Sequence, residues 1–286
     1  MRHINGLARG RRIFAALGIL LFALIFLFTF LYTLPGDAFL SPLRSALSRA
    51  GYDLTYENAR IVFPLGVECR NAVLSPRGGA AVSFDSVLAA FEWTGLFRWL
   101  PFHLRATRGT ASVDIRTSPM VSDPGKVRLR VSRIGSDDLA AFYPPASGVG
   151  FLIDSVDLQL KRSGGGRVSG TGDGSVQWLR MPIPAKESPV REALLKDVRM
   201  KFVVREGTIH VSSFTGTYEG SAVDGTGEIV RFSNPAAAAI TFHLRIQNPL
   251  EGKIAALFDL VAKNVKNANL RIKGTLLSPT GEFQFF

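Results

Sequence analysis

Residues 127–133 read VRLRVSR, and their pattern guides the interpretation of the whole 286-residue chain. Three apolar residues alternate with two arginines and a serine. Because successive side chains of a strand point to opposite faces, the alternation predicts a β-strand with one apolar and one basic face. We interpret the basic face as the solvated outer surface of a sheet. The alternative is a contact surface for an acidic partner or for lipid head groups.

The same period of two returns along most of the chain after residue 51. It predicts strands within 52–75, 81–91, 102–133, 153–161, 200–211, 222–230, 240–246 and 269–283. The chain is rich in glycine and phenylalanine, and long helical patterns are few. This composition favours a mainly-β domain. Similar units at irregular spacing favour successive hairpins or meanders over a solenoid of fixed period.

Glycine-threonine steps recur in three of these blocks: RVSGTGDGSVQWL (167–179), AVDGTGEIV (222–230) and NLRIKGTLLSPTGEF (269–283). A dinucleotide-binding loop must follow a strand and open a helix, whereas residues 176–179 predict another strand. The chain also contains no GxxxxGK[ST] sequence. We therefore predict that the glycine runs at 163–166 and 170–174 form hairpin turns.

Four short helical segments are predicted. Ser41 and Pro42 form a helix start, apolar residues follow at helical spacing to residue 50, and Gly51 occupies the position of a C-terminal cap. The other three lie at 136–143, from Ser188 through REALLKDV (191–198), and in LEGKIAALFDLVAKNV (250–265). An aromatic cluster at 93–100 is interpreted as core, with an apolar edge at a membrane or partner as the alternative.

Residues 13–34, IFAALGILLFALIFLFTFLYTL, contain no charged residue. A helix of this length spans about 33 Å, enough to cross a hydrocarbon core of about 30 Å. Four arginines and no acidic residue precede it, so the positive-inside rule predicts a cytoplasmic N-terminus. A cleaved signal peptide is the weaker alternative, because its apolar core is usually about 7–15 residues and ends in small residues.

The predicted layout is a basic cytoplasmic tail (1–12), a transmembrane helix (13–34) and an extracytoplasmic β-rich domain (35–286). Three prolines between residues 182 and 189 mark 181–190 as a candidate boundary between two halves of that domain. The net charge is +11, of which four come from the leading arginines, so the domain carries +7. That charge suits anionic lipid head groups or other acidic surfaces, and we expect no nucleic-acid partner outside the cytoplasm.

The sequence gives no positive case for an enzyme. Cys69 is the only cysteine, which excludes an internal disulfide and thiolate-based metal sites, and its neighbours predict that it faces a core. Among the histidines, His103, His210 and His243 are scattered on predicted strands, and the last two are expected to face solvent. HExxH and GxSxG are absent. We therefore predict no catalytic residue, no cofactor, no cofactor-binding residue and no metal ligand. An extracytoplasmic hydrolase would rest on size alone.

After the apolar run and the short helix, the segments FPLGV (63–67) and NAVLSP (71–76) resemble the start of the type II secretion system protein N family, in its longer bacterial form. LRIKGTLLSP (270–279) resembles the closing strand of that family and of the related AsmA-like proteins. The resemblance implies a single-pass inner-membrane protein of a two-membrane bacterium. Its periplasmic domain would be a curved, largely antiparallel sheet with a few short helices.

Two functions follow from the resemblance. The first is a non-enzymatic component of the type II secretion system that acts through contacts with other secretion proteins. The alternative is an AsmA-like module that binds or transports lipid in an apolar groove between the inner and outer membranes. Both functions use one architecture, so the fold alone does not choose between them.

Overall fold

The computed structural model describes residues 22, 36–62, 65–76, 81–92, 100–118, 125–140, 149–162, 167–182, 192–232, 237–247, 267–275 and 278–285. These residues form one curved antiparallel sheet of fifteen strands. They also include a helix, α1 (Gly36–Arg49), and a helical turn, α2 (Ser136–Leu139). The prediction of a mainly-β domain with few helices is confirmed.

The strands follow chain order across the sheet. They are β1 Tyr52–Thr55, β2 Asn58–Val62, β3 Leu65–Pro76, β4 Val82–Phe91, β5 Phe102–Arg108, β6 Ala111–Thr117, β7 Gly125–Gly135, β8 Gly150–Arg162, β9 Val168–Pro182, β10 Glu192–Arg205, β11 Thr208–Tyr218, β12 Ser221–Val230, β13 Ala239–Gln247, β14 Asn267–Thr275 and β15 Pro279–Phe285. From β3 onward each strand pairs with the next, whereas β1 and β2 both pair with β3 and form one interrupted edge. The sheet is therefore a continuous meander.

Tight turns set the register of two hairpins. Glu206-Gly207 joins β10 to β11, Glu219-Gly220 joins β11 to β12, and all four residues have positive φ. Two consecutive residues with positive φ define the type I′ turn, whose twist matches that of the flanking strands. Glycine adopts this conformation without strain, which explains its place in both turns.

Bulges let the long strands bend while one face stays apolar. Asn71 in β3, Arg133 in β7 and Asp197 in β10 are interior residues with positive φ. In β3 the buried side chains are at odd positions before the bulge, at Val67 and Cys69, and at an even position after it, at Ala72. One extra residue at such a point returns the following apolar side chains to the face they would otherwise leave.

The apolar face is closed over at both ends of the sheet. At the N-terminal end, Leu40 of α1 packs against Leu54, Val67, Cys69 and Ala72. At the C-terminal end the sheet rolls up, and β15 returns to contact β9. The core enclosed there consists of Val176, Met181, Ala193, Leu195, Val198, Val211, Phe214, Tyr218, Val223, Ile240, Leu244, Ile246, Ala268, Leu270 and Ile272.

Glycines predicted to form turns lie inside strands, so that prediction was wrong. Gly170, Gly172 and Gly174 belong to β9. A Cβ atom on Gly172 would lie 2.5 Å from the Phe202 ring and 2.8 Å from the Asp157 carbonyl oxygen. The absent side chain therefore makes room for the neighbouring strands where the sheet bends.

Two helix predictions also need correction. α1 begins at Gly36 instead of Pro42, although Gly51, with φ of 86°, ends that region as expected. The REALLKDV segment is not helical where described, because β10 begins at Glu192. The bulge at Asp197 produces a three-residue step between buried positions that imitates helical spacing. The predicted turn at 136–143 is confirmed for Ser136–Leu139.

Several predictions fall outside the described residues. They concern the transmembrane helix at 13–34 (apart from Phe22), the aromatic cluster at 93–99, the turn at 163–166 and the helix at 250–265. In the described ranges, no helix is long and apolar enough to cross a membrane. β9 and β10, which flank the candidate boundary, pair along their length, and the subdivision at 181–190 stays a prediction.

Candidate functional site

The middle of the sheet presents an apolar face that its own core does not close. We call it the open apolar face. Its residues are Val87, Ala89 and Phe91 of β4; Phe102, Leu104 and Ala106 of β5; Val113 and Ile115 of β6; Val127, Leu129 and Val131 of β7; and Val156, Leu158 and Leu160 of β8. All fourteen are half-buried or exposed.

Strand register places these side chains on one face. Directly opposed positions of neighbouring strands point the same way, and Leu104, Ile115, Leu129 and Leu158 form one such cross-strand row. The row continues through Gly172 of β9 into the C-terminal core. The open apolar face is therefore continuous with a buried interior.

Exposure distinguishes this section from the two ends of the sheet. Phe102 is 44% exposed and Leu104 is 36% exposed. No described Val, Leu, Ile, Phe or Met side chain between residues 83 and 173 is fully buried. Contiguous exposed apolar surface on a protein commonly marks a binding site for a partner, a membrane or a ligand.

The opposite face of the same strands is polar and largely self-neutralised. Asp157 accepts hydrogen bonds from Arg128 Nε at 3.0 Å and Nη2 at 2.5 Å, and from Arg130 Nε at 3.0 Å. The Arg128 contact, followed by Arg130, holds the pKa of Asp157 below its ordinary value despite partial burial. The same contact raises the pKa of Arg128. Two of the predicted basic residues therefore have an internal acidic partner.

A buried histidine lies at one side of this polar face. His103 is 8% exposed, with Nδ1 2.7 Å from Glu92 Oε1 and Nε2 2.7 Å from Asp114 Oδ2. Arg116 lies 3.4 Å from each of the same two carboxylates. Both imidazole nitrogens thus lie within hydrogen-bonding distance of a carboxylate, and both carboxylates also contact Arg116, so the cluster is an internal polar network.

The sequence did not single out this histidine network. Glu92 directly follows β4, and the other three residues come from β5 and β6, where each alternates with apolar neighbours in an ordinary strand pattern. Only the register, which places His103 opposite Arg116 and Arg105 opposite Asp114, brings the group together. By contrast, His210 and His243 are exposed as predicted.

The polar face also carries a shallow depression of about 700 Å³. Strands β8 to β11 line it with hydroxyl groups and with charges of both signs, including Asp157, Asp173, Arg199 and Lys201. The glycine run at 170–174, for which a nucleotide-binding loop was rejected from the sequence, contributes Gly172 and Gly174 to its floor as strand backbone. A helix N-terminus, which a phosphate loop requires, does not follow them.

The open apolar face is thus the main apolar surface that the described part of the chain leaves uncovered. Cys69 is buried in the N-terminal core, as predicted. No protein-family model, no curated protein and no solved structure shows significant similarity to this chain.

Proposed function

We propose that this chain is a membrane-anchored, non-enzymatic module that holds lipid acyl chains against the open apolar face. In this proposal residues 13–34 span the inner membrane, the N-terminus is cytoplasmic and the sheet is periplasmic. The observation that carries it is the unclosed section from β4 to β8, whose apolar side chains remain half-buried or exposed between two closed cores.

The expected binding free energies of an acyl chain favour its transient retention on this face. From water, each buried methylene contributes about 0.8 kcal/mol, so an acyl chain would bind an apolar face of this size. From a bilayer the driving force is small, because lipid tails are as apolar as leucine side chains. A lipid could therefore move between the bilayer and the sheet with little change in free energy, as a lipid-carrying protein requires.

Leu104→Gln tests the proposal. This change places an amide in the middle of the open apolar face, and we expect a fluorescent acyl probe to bind the full chain more weakly by about 1–2 kcal/mol, or about five- to thirtyfold. The matched control is Leu194→Gln on the opposite face of β10. The exposures of the two leucines, 36% and 37%, are nearly equal.

The outcomes are distinct. If the unaltered full chain, purified in mild detergent, binds no acyl probe and carries no lipid detectable by mass spectrometry, the proposal is wrong. Equal weakening by both leucine variants would also contradict it, because the loss would then be unrelated to the face that Leu104 occupies.

A second candidate function is that of a component of the type II secretion system. It is favoured by the segments at 63–67, 71–76 and 270–279 that resemble protein N of that system. The edge formed by β1 and β2 supports it further, because these strands are paired with β3 on one side only. Such an edge can accept a strand from a partner protein.

Gene deletion separates the two candidate functions. Loss of secreted enzymes from the culture medium, with an unchanged outer-membrane lipid composition, would support the secretion component. Unchanged secretion, together with copurification that lacks other inner-membrane secretion proteins, would exclude it and leave the lipid-binding module.

A further inference from the structure

One end of the central strands carries a concentration of cations. We call it the basic end, and it consists of Lys126, Lys161, Arg162, Arg167, Arg205 and Arg231. These residues lie at, next to or just beyond the same ends of strands β7 to β10 and β12. None forms an ion pair with a residue that the structure describes.

Two of these cations oppose each other directly. Lys126 and Lys161 are register partners on β7 and β8, and like charges at such positions destabilise a sheet. Elsewhere on the polar face, acidic side chains neutralise opposed cations of this kind. Arg116 and Arg128 are also register partners. However, Arg116 forms ion pairs with Glu92 and Asp114, and Arg128 forms one with Asp157.

The basic end adjoins the open apolar face. Arg162 follows Leu160 by two residues in β8, so its side chain leaves the strand on the same face as the last leucine. At the opposite end of the central strands the described charges are of both signs, with Glu192 and Glu219 beside Arg133 and Arg180. The basic end itself includes one described carboxylate, Glu206, next to Arg205. The apolar surface is thus followed at this end by an excess of cations.

The helix that precedes the sheet begins toward this same end, although β1 itself starts at the opposite end. Only Ala50 and Gly51 separate α1 from β1, and α1 contacts both β1 and β2, with Arg44 lying 5.9 Å above the Tyr56 ring. The helix therefore runs back along this edge, and its first residue, Gly36, points to the end where β2 finishes. The meander places that end level with the basic end.

We infer that the basic end binds the phosphate group of an anionic glycerophospholipid whose acyl chains lie on the open apolar face. This inference rests on the proposed function and specifies its substrate class. The cations supply charge complementarity to the head group, and the neighbouring face accepts the tails. The direction of α1 places this end nearest the predicted anchor, where membrane lipids are available.

The test compares two lipids that differ only in head group. The full chain in an uncharged detergent is titrated with fluorescent phosphatidylglycerol and with phosphatidylcholine bearing the same acyl chains. We expect phosphatidylglycerol to bind at least about tenfold more tightly, and each cation removed to weaken its binding about fivefold. Raising the ionic strength should reduce the preference, because exposed charges are screened.

The variant is Lys126→Gln/Lys161→Gln/Arg162→Gln, which removes three charges from the basic end. We expect it to bind both lipids with equal affinity, close to that of phosphatidylcholine for the unaltered chain. The matched control, Lys196→Gln/Arg199→Gln/Lys201→Gln, removes three exposed cations of β10 from the polar face. It should retain the preference for phosphatidylglycerol. Thermal unfolding of each variant verifies that the fold is intact.

Each outcome bears on a different statement. Equal binding of both lipids by the unaltered chain, or loss of the preference in the control variant, would overturn the inference while the lipid-binding function stands. Failure to bind either lipid would overturn the proposed function itself. Displacement of phosphatidylglycerol by inorganic phosphate at constant ionic strength would show a site for free phosphate, which also contradicts a lipid head group.

Discussion

The Phe202 ring of β10 lies across Gly172 of β9 so closely that a Cβ atom on Gly172 would be 2.5 Å from Phe202 Cζ. Real Cβ atoms do not approach a neighbour to this distance, so the contact requires glycine. The pair lies at the point where the open apolar face passes into the closed C-terminal core. It therefore shows how the sheet bends at that boundary.

Gly172→Ala should destabilise the protein. The added methyl group must displace Phe202 or the backbone of β8, and overpacking of this kind costs about 1–3 kcal/mol. Gly174→Ala is the matched control, because its Cβ would meet its nearest neighbour, Val156, at an ordinary 3.4 Å. Thermal unfolding of the full chain in detergent measures both, and equal midpoints for the two variants would refute the role assigned to the Gly172 contact.

His103→Ala should also lower the free energy of unfolding, by about 1–3 kcal/mol. The change removes the donor that both Glu92 and Asp114 contact and leaves their carboxylates with Arg116 alone. The exposed His243 provides the control, since surface substitutions usually change stability by less than about 0.5 kcal/mol. Denaturant titrations that give the two histidine variants the same stability would contradict a structural role for the network.

Asp157→Asn should destabilise the protein at neutral pH and have little effect in acid. The folded state lowers the pKa of Asp157, chiefly through Arg128. The ionised carboxylate therefore stabilises the fold at pH values above 3.8, the ordinary pKa of this group. That contribution is lost as the pH falls through the folded pKa. We expect a difference of about 1 kcal/mol between unaltered chain and variant at pH 7, since both partners are partly exposed.

A second variant on the neighbouring strand serves as the control for the pH dependence of Asp157→Asn. Asp173 is the register partner of Asp157 on β9, so Asp173→Asn removes a like charge and should leave stability unchanged or slightly higher. Unfolding curves recorded between pH 3 and pH 7 measure both variants. A constant difference between the unaltered chain and Asp157→Asn across that range would be inconsistent with the depressed pKa.

Cys69 should resist thiol reagents in the folded protein. Its side chain is 1% exposed and packs in the N-terminal core under α1. As the only cysteine of the chain, it reports directly on that core. We expect labelling by a maleimide to be slow in mild detergent and complete in denaturant. Rapid labelling under native conditions would mean that α1 does not cover this end of the sheet.

The period of two was enough to predict most strands, because each strand's apolar and polar positions are separated by a local rule of backbone geometry. It identified the segments that became β3 to β7, β11 and β13. It failed where a bulge changed the two-residue spacing between buried side chains. In β10, for example, the three-residue step from Leu195 to Val198 has the spacing of a helix. It failed again in the first half of β9, because glycine in a sequence is more often a turn residue than a place for a neighbouring ring.

The sequence by itself determined that the described chain is an antiparallel β structure with one apolar and one polar face, and that Cys69 is buried. These properties depend on neighbours within a few residues. Only the tertiary structure decided that the apolar face stays open between β4 and β8, that His103 is held by two carboxylates, and that cations gather at one end of the strands. The physical reason is that register joins residues far apart in the chain, and the turns and bulges that set it leave only weak local signals.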